Sequence, residues 1–380
     1  MTLSPSQILW LDPADFLGGA ELFSLDLFPE LSRKFAITVL TGSTSSDFAV
    51  KIPSNIRVQK FLFPRLKPPS PKTFAAFFRT AHELKKFLEK NTYDILHTNS
   101  IRTHILASYV LKKIPRNRAP KLTFFVHDFT FPSWAVWAFA GRADKIFCCS
   151  HAVESDLQAK GISPEKIRVI PNGIRSEKFT SNPHKKTPHE FPTIAILGRI
   201  DEWKGQHIFL EAVKILQKSL PNLRWKIIGK SSSYDVSTEK YEKTLREFVQ
   251  KNSLEMSGEF CGFLPSEKAL SGIDLLIHAS TQKEPFGRVL LEAMAAGVPV
   301  IASNLGGPQE ILRNDLPEFL ISPRDPKLLA EKILTILNSP ELLQKFREKS
   351  EKIIREKYEL SLISEKIGKE WDLLLSEEHF

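Results

Sequence analysis

A rhythm in the chain limits its fold more than any other feature: short apolar runs alternate with longer segments of helical period, break off once, and begin again. Alternation of this kind is the mark of βαβ units and a parallel sheet. In the first half the expected strands are Ile8–Asp12, Ala36–Thr41, Ile56–Phe61, Tyr93–Thr98, Leu122–His127, Lys145–Ser150 and Ile167–Ile170. Helices are expected over Ala20–Arg33, Lys72–Glu89, Arg102–Lys113 and Ala152–Lys160. The polar stretch Thr180–Glu190, with two prolines and no period, reads as a linker. Beyond it, strands are expected at Thr193–Leu197, Arg224–Ile228, Glu259–Gly262, Asp274–His278, Val298–Ala302 and Glu318–Ile321. Helices follow at Gln206–Lys218, Ser237–Lys251, Gly287–Ala296, Pro326–Leu337 and Pro340–Tyr358. A last amphipathic stretch, Ser361–Leu375, can pack on either half.

At 380 residues the chain exceeds what one hydrophobic core organises, so two domains are expected: residues 1–180 and 191–358, with 359–380 as a C-terminal helix. The net charge of +9 points to an anionic partner, such as a phosphorylated substrate, a nucleic acid or an acidic membrane surface. No basic segment leads an apolar run at the N-terminus, and no apolar stretch has the length of a membrane span. Cys148, Cys149 and Cys261 have neither disulfide nor zinc spacing. A cytoplasmic setting fits.

In open parallel sheets the ligand crevice lies beyond the carboxyl ends of the strands. Glu284-Pro285-Phe286-Gly287 occupies such an end, and the helix that follows can present its free N–H groups to an anion. Glu292 then falls on a helix that is apolar nearly all round. A carboxylate buried there needs a partner: the paired hydroxyls of a ribose, or an internal Arg or Lys. In Gly198-Arg199-Ile200-Asp201-Glu202-Trp203-Lys204-Gly205, two cations stand near a helix N-terminus, where the dipole disfavours them. A diphosphate between them explains the placement; pairing with Asp201 and Glu202 is the alternative. Gly18-Gly19 before Ala20-Glu21 permits close backbone approach, or simply a tight turn. His127 and Asp128 end a strand, where a histidine serves proton transfer, a substrate hydroxyl or packing.

Together these segments resemble the family-4 glycosyltransferases, retaining enzymes with the GT-B fold of two Rossmann-like domains facing each other across a cleft. The resemblance rests on Glu284 and Glu292 with Pro285-Phe286-Gly287 inside, followed by Gly297-Val298-Pro299-Val300-Ile301-Ala302 and Gly306-Gly307-Pro308-Gln309-Glu310-Ile311. Val169-Ile170-Pro171-Asn172-Gly173-Ile174 is similar to the family's interdomain segment. The resemblance implies a hexosyl-type transfer from a nucleotide-diphosphate sugar, without metal or other cofactor, to a sugar or lipid-linked acceptor. It implies that Gly198, Arg199 and Lys204 meet the diphosphate, that Glu292 holds the ribose, and that Glu284 holds the sugar hydroxyls near Phe286, Gly287, Arg288 and Val289. Phe263 and Leu264 would flank the base and Gly19 the phosphates. His127 would lie at the reacting carbon, with Gly18, Asp128 and Trp134 on the acceptor side. Arg175 stands where the family commonly has Asp, and Leu312–Pro317 lacks the usual glycine-bearing turn.

The stretch Phe61–Lys72, with Arg79, Lys85 and Lys86 after it, mixes aromatics with cations; it can rest on the anionic inner face of a plasma membrane or remain a solvated loop. Phe131, Trp134, Trp137 and Phe139 line an acceptor site or pack a helix. Two other classes compete. A sugar-nucleotide epimerase wants carboxylates placed for proton abstraction, and a nucleic-acid-binding protein wants a binding module, which the interspersed charges do not form.

Overall fold

The structure is a computed structural model that describes residues 4–13, 17–63, 70–129, 140–179, 191–232 and 235–376. The linker at 180–190, the proline-rich residues 64–69 and the aromatic cluster with Trp134 lie outside these residues. The chain forms two compact units, Met1–Gly173 with Leu360–Phe380, and Ile174–Glu359. The division falls ahead of the polar stretch because Ile174 N–H donates to the Tyr358 carbonyl at 2.8 Å and the Ile174 backbone bridges that of Glu359.

In the first unit the strands are β1 (Gln7–Asp12), β2 (Ala36–Thr41), β3 (Arg57–Lys60), β4 (Ile95–Thr98), β5 (Lys121–Val126), β6 (Lys145–Cys148) and β7 (Ile167–Val169). They form one parallel sheet in the order β3-β2-β1-β4-β5-β6-β7. The inner strands are buried on both faces, which is why they read as unbroken apolar runs. One face packs Leu9, Leu11, Leu40 and Leu96 under α2 (Pro71–Lys90) and α3 (Ile101–Leu111). The other face meets α1 (Gly19–Leu31) and the C-terminal helix: Trp371 from that helix stacks edge-on against Phe35 and His97. Helix α4 (His151–Ala159) completes the described helices of this unit's first segment.

The second unit carries β8 (Thr193–Leu197), β9 (Arg224–Ile228), β10 (Gly258–Gly262), β11 (Leu275–His278), β12 (Val300–Ser303) and β13 (Leu320–Ile321), parallel in the order β10-β9-β8-β11-β12-β13. Its helices are α5 (Gln206–Leu216), α6 (Val236–Lys251), α7 (Ser266–Ala269), α8 (Arg288–Ala296), α9 (Gly307–Leu312), α10 (Pro326–Leu337) and α11 (Pro340–Ile353). The last helix, α12 (Leu360–Ser376), belongs to the first unit. Each sheet reverses direction once, between β1 and β4 and between β8 and β11. Such switch points open a crevice at the strand ends, because the loops there diverge to opposite sides.

Each expected strand is present, with its ends within two residues of the expected ones. Two short helices, α7 and α9, were not anticipated: four and six residues are too few to show a period. The expected helix Pro340–Tyr358 keeps regular form to Ile353 and then widens into a π-turn over Ile354–Tyr358.

Candidate functional site

At the switch point of the second sheet, the loops after β8 and β11 are stitched together. Thr281 N–H donates to the Trp203 carbonyl at 2.7 Å. Gly205, at φ 76°, lets the chain pass where a Cβ would lie 2.0 Å from the Ala279 carbonyl oxygen. Lys204 is thereby delivered to Glu284, with Nζ 2.6 Å from Oε2, and it also lies over the Trp203 ring at 4.0 Å. Glu284 is 8% exposed, and the same Oε2 is 3.3 Å from both His278 Nε2 and Ser280 Oγ. Burial works to raise this carboxyl; the charge of Lys204 and the His278 contact outweigh it and hold the group well below the usual carboxylate range. Glu284 is therefore an anion at neutral pH.

The loop carrying Glu284 is fixed from behind. Gly307 N–H donates to the Glu284 carbonyl at 2.9 Å, and the backbones of Glu284 and Gly306 bridge. A Cβ on Gly307 would lie 2.2 Å from the Phe286 carbonyl oxygen, and one on Gly306, at φ 68°, 2.3 Å from that of Glu284. The Gly-Gly pair is thus a packing requirement of the acid's loop. Gly287 caps α8 at φ 92°, and Arg288 opens the helix. Glu292, 6% exposed, takes Arg288 Nε at 3.0 Å and Ser266 Oγ–H at 2.7 Å. Of the two partners open to it from the sequence, an internal Arg is the one present. A ribose docking on Glu292 would share it with Arg288.

Arg199 does not join the cluster. It is exposed and pairs with Asp201 at 3.1 Å, the local alternative that the sequence left open. Gly198, at φ 146°, ends β8 beside Gly229, and Gly229 N–H donates to the Gly262 carbonyl at the end of β10. Three neighbouring strands therefore end in glycine with positive φ, leaving a backbone edge free of Cβ atoms. Beside it opens a cavity of about 430 Å³ lined by Lys230, Ser231, Glu242, Arg246, Phe260 and Gly262. Phe263 is exposed and Leu264 half-buried just past β10; Val289 is half-buried in the first turn of α8.

In the first unit, Gly18 caps α1 and its N–H donates to Glu21 Oε2 at 2.9 Å. Burial pushes the Glu21 carboxyl up, partly offset by that bond. A Cβ on Gly19 would meet nothing within 4 Å, so packing does not demand this glycine. His127, partly buried, stacks on Phe125 at 4.3 Å, and burial pushes its pKa down to about 3. Its tautomer follows from its neighbours. Asn99 Nδ2–H donates to Asp12 Oδ2 at 2.9 Å, an acceptor, so Asn99 Oδ1 faces His127 Nε2 at 2.8 Å and the histidine donates from Nε2. Nδ1 then carries a lone pair, buried and without a partner among the described residues. Asp12 and Asn99 close the switch point of this sheet, and neither was singled out from the sequence. The available signal was that both are polar residues at the carboxyl ends of apolar strands, as is His278. Asp128 is exposed and accepts from the Phe129 N–H at 2.6 Å; Trp134 lies outside the described residues.

The family model described as Glycosyltransferase Family 4 matches residues 17–178, and the one described as Glycosyl transferases group 1 matches residues 177–353. The chain belongs to the family-4 glycosyltransferases. Among curated relatives, WcaL of Escherichia coli K12, named for colanic acid biosynthesis, is 28% identical over 56% of the chain. An Escherichia coli UDP-Gal:α-D-GlcNAc-diphosphoundecaprenol α-1,3-galactosyltransferase is 28% identical over 64% of the chain. The matches span 52% and 66% of those proteins' lengths. In fold, the chain is similar to Anabaena HepE, solved with UDP and glucose, at a TM-score of 0.83 and 22% identity over 97% of this chain and 99% of that one. The fold is GT-B.

Proposed function

We propose that this protein is a retaining glycosyltransferase that moves a hexosyl group from a uridine-diphosphate sugar to a glycan or lipid-linked sugar acceptor, without a metal ion. The observation that carries the proposal is the Lys204–Glu284 pair, a largely buried cation and anion delivered side by side to a switch-point crevice by glycine-dependent loops. Lys204 supplies positive charge where a diphosphate gains negative charge as it leaves, with the N-terminus of α8 close by in sequence and Arg199 swinging in from its exposed pair. Glu284 accepts hydrogen bonds from the sugar hydroxyls, and Glu292 from the ribose. The cavity beside Gly229 and Gly262 takes the base. The space over Gly19 leaves its backbone open to a phosphate.

In the step itself the bond from the anomeric carbon to the diphosphate oxygen breaks, and the diphosphate leaves with the electron pair. The acceptor oxygen bonds the same face of that carbon, and its proton passes to the departing phosphate. No side chain serves as nucleophile. Uridine follows the ligand of HepE, and the lipid-linked acceptor follows the name of the galactosyltransferase relative. The epimerase reading fares worse: proton abstraction wants a carboxylate with a raised pKa, and Glu284 is held far below that.

The test is incubation with a panel of nucleotide sugars and with glycan and undecaprenyl-diphosphate-linked acceptors. The product's anomeric configuration is then read by NMR. Free UDP with a glycoside of unchanged configuration is expected. An altered nucleotide sugar without glycoside, or an inverted product, would overturn the proposal.

A further inference from the structure

Helix α2 meets its core obligations with one face. Thr80, Ala81 and Leu84 are buried, and Phe77, Phe87 and Leu88 pack against the same core. Phe74 and Phe78, one turn apart, are left outside it at 58% and 52% exposure. A single exposed phenylalanine is unremarkable, but two at i and i+4 form a continuous stripe. The stripe continues onto α3, since the Phe78 ring lies 5.7 Å from Tyr109, and Lys113 lies over that ring at 4.4 Å. From this point the chain runs Lys112-Lys113-Ile114-Pro115-Arg116-Asn117-Arg118, with four exposed cations and no acid. On the helix itself Lys72, Arg79 and Lys86 are also exposed. This surface keeps the cations Lys72, Arg79 and Lys86 of the one suggested by the sequence but not its aromatic part around Phe61. That residue is buried, Phe63 packs half-buried beside it, and residues 64–69 are not described.

We propose that the Phe74–Phe78–Tyr109 stripe with Lys112, Lys113, Arg116 and Arg118 is a docking surface for an anionic phospholipid bilayer. The two phenylalanines enter the boundary between headgroups and acyl chains, while the cations stay at the level of the lipid phosphates. Lys113 above Tyr109 places charge and aromatic surface at one spot, as an interfacial anchor requires. A nucleic acid would be served by the cations but would leave unused a hydrophobic stripe on a convex helix. The inference does not depend on the donor, because no residue in it belongs to the second unit.

The experiment is cosedimentation of the full chain with phosphatidylcholine vesicles, neutral or with about 30% phosphatidylglycerol. Binding to the anionic vesicles alone, reversed by salt, is expected. Each cation near the surface contributes about a fivefold gain in affinity, so Lys112→Glu/Lys113→Glu/Arg116→Glu/Arg118→Glu should lose at least about 100-fold. Phe74→Ser/Phe78→Ser should lose at least about tenfold, because both rings leave the interface. All these side chains are exposed, and unchanged thermal melting and unchanged UDP calorimetry confirm that each variant is folded and separate this outcome from the donor assignment. Equal binding to neutral vesicles, no binding, or variants that bind like the parent would overturn the proposal. So would tighter retention on a single-stranded oligonucleotide than on the anionic vesicles.

Discussion

Replacing Lys204 with alanine should cost the second unit far more than replacing Arg199, although both are cations of one loop. At 2.6 Å and an effective dielectric near 20, the Lys204–Glu284 attraction is about 6 kcal/mol before desolvation is charged against it. Removing one partner of a buried pair costs about 3–5 kcal/mol, because the survivor stays buried and charged. Here the two side chains retain 21% and 10% exposure, and Glu284 keeps His278 and Ser280, so the cost falls to the bottom of that range or just below it, about 2–3 kcal/mol. For a unit of this size, that is a fall in melting temperature of about 5–10 °C. Arg199 and Asp201 are 55% and 21% exposed, and solvent screening leaves their pair worth less than about 1 kcal/mol. Glu284→Gln in the Lys204→Ala background should restore part of the loss by removing the stranded charge. The pH dependence has a definite sign. In the parent the folded Glu284 titrates below the unfolded value of about 4.3, so its stabilisation is fully present above that pH and is lost as pH falls through the folded value. In Lys204→Ala the effect of burial is less opposed, so the gap between variant and parent narrows from pH 7 towards pH 4. Urea titrations of the four proteins at several pH values measure all of this. If Lys204→Ala proves as harmless as Arg199→Ala, or the gap widens in acid, the reasoning fails.

Glu292→Gln should weaken UDP binding by about tenfold, the worth of a charged hydrogen bond, while Glu284→Gln leaves UDP affinity near the parent and lowers turnover. Calorimetry beside a release assay reads both, and equal loss of affinity would count against the division of roles. Gly307→Ala forces a Cβ to within 2.2 Å of the Phe286 carbonyl oxygen, so it should cost about 2–3 kcal/mol and displace Glu284; thermal melting and donor affinity should fall together. His97, fully buried, has a pKa pushed down to about 3 by burial and then by the neighbouring His127 and His104. Its stabilisation of the first unit is complete above about pH 6.5 and falls below it, with about 2 kcal/mol lost by pH 5. His127, pushed down likewise, adds a loss of the same sign, so stability of that unit to denaturant should fall at least this steeply, and a flat profile would exclude it.

The fold was legible because the inner strands of a doubly covered parallel sheet are largely apolar, and Ala36–Thr41 and Thr193–Leu197 have in the structure the bounds their apolar runs suggest. The candidate site was legible where a residue's oddity was local. Glu292 on an apolar helix and Lys204 at a helix start both stand out from their neighbours. What escaped was relational. Ser266 reaches Glu292 across 26 residues of sequence, and Asn99 links Asp12 to His127 across three strand ends. The Gly306–Gly307 pair reads as a motif, yet the reason for it, contact with the backbone of Glu284 and Phe286, needs three dimensions. The charge pairing also went a different way from the cation pair expected at a diphosphate: Lys204 pairs with a distant acid and Arg199 with a near one.

The C-terminal helix completes a sheet begun by the first residues of the chain. Trp371 packs edge-on against Phe35 and His97, and Gly368 of the same helix lies against the Phe35 ring. A ribosome releases this helix only after the whole of Ile174–Glu359. The unit synthesised first therefore waits, with that face of its sheet covered by α1 alone, until residues 174–359 have been made. A stop codon near residue 360 would strip a helix from the unit that begins the chain and leave the one just completed whole.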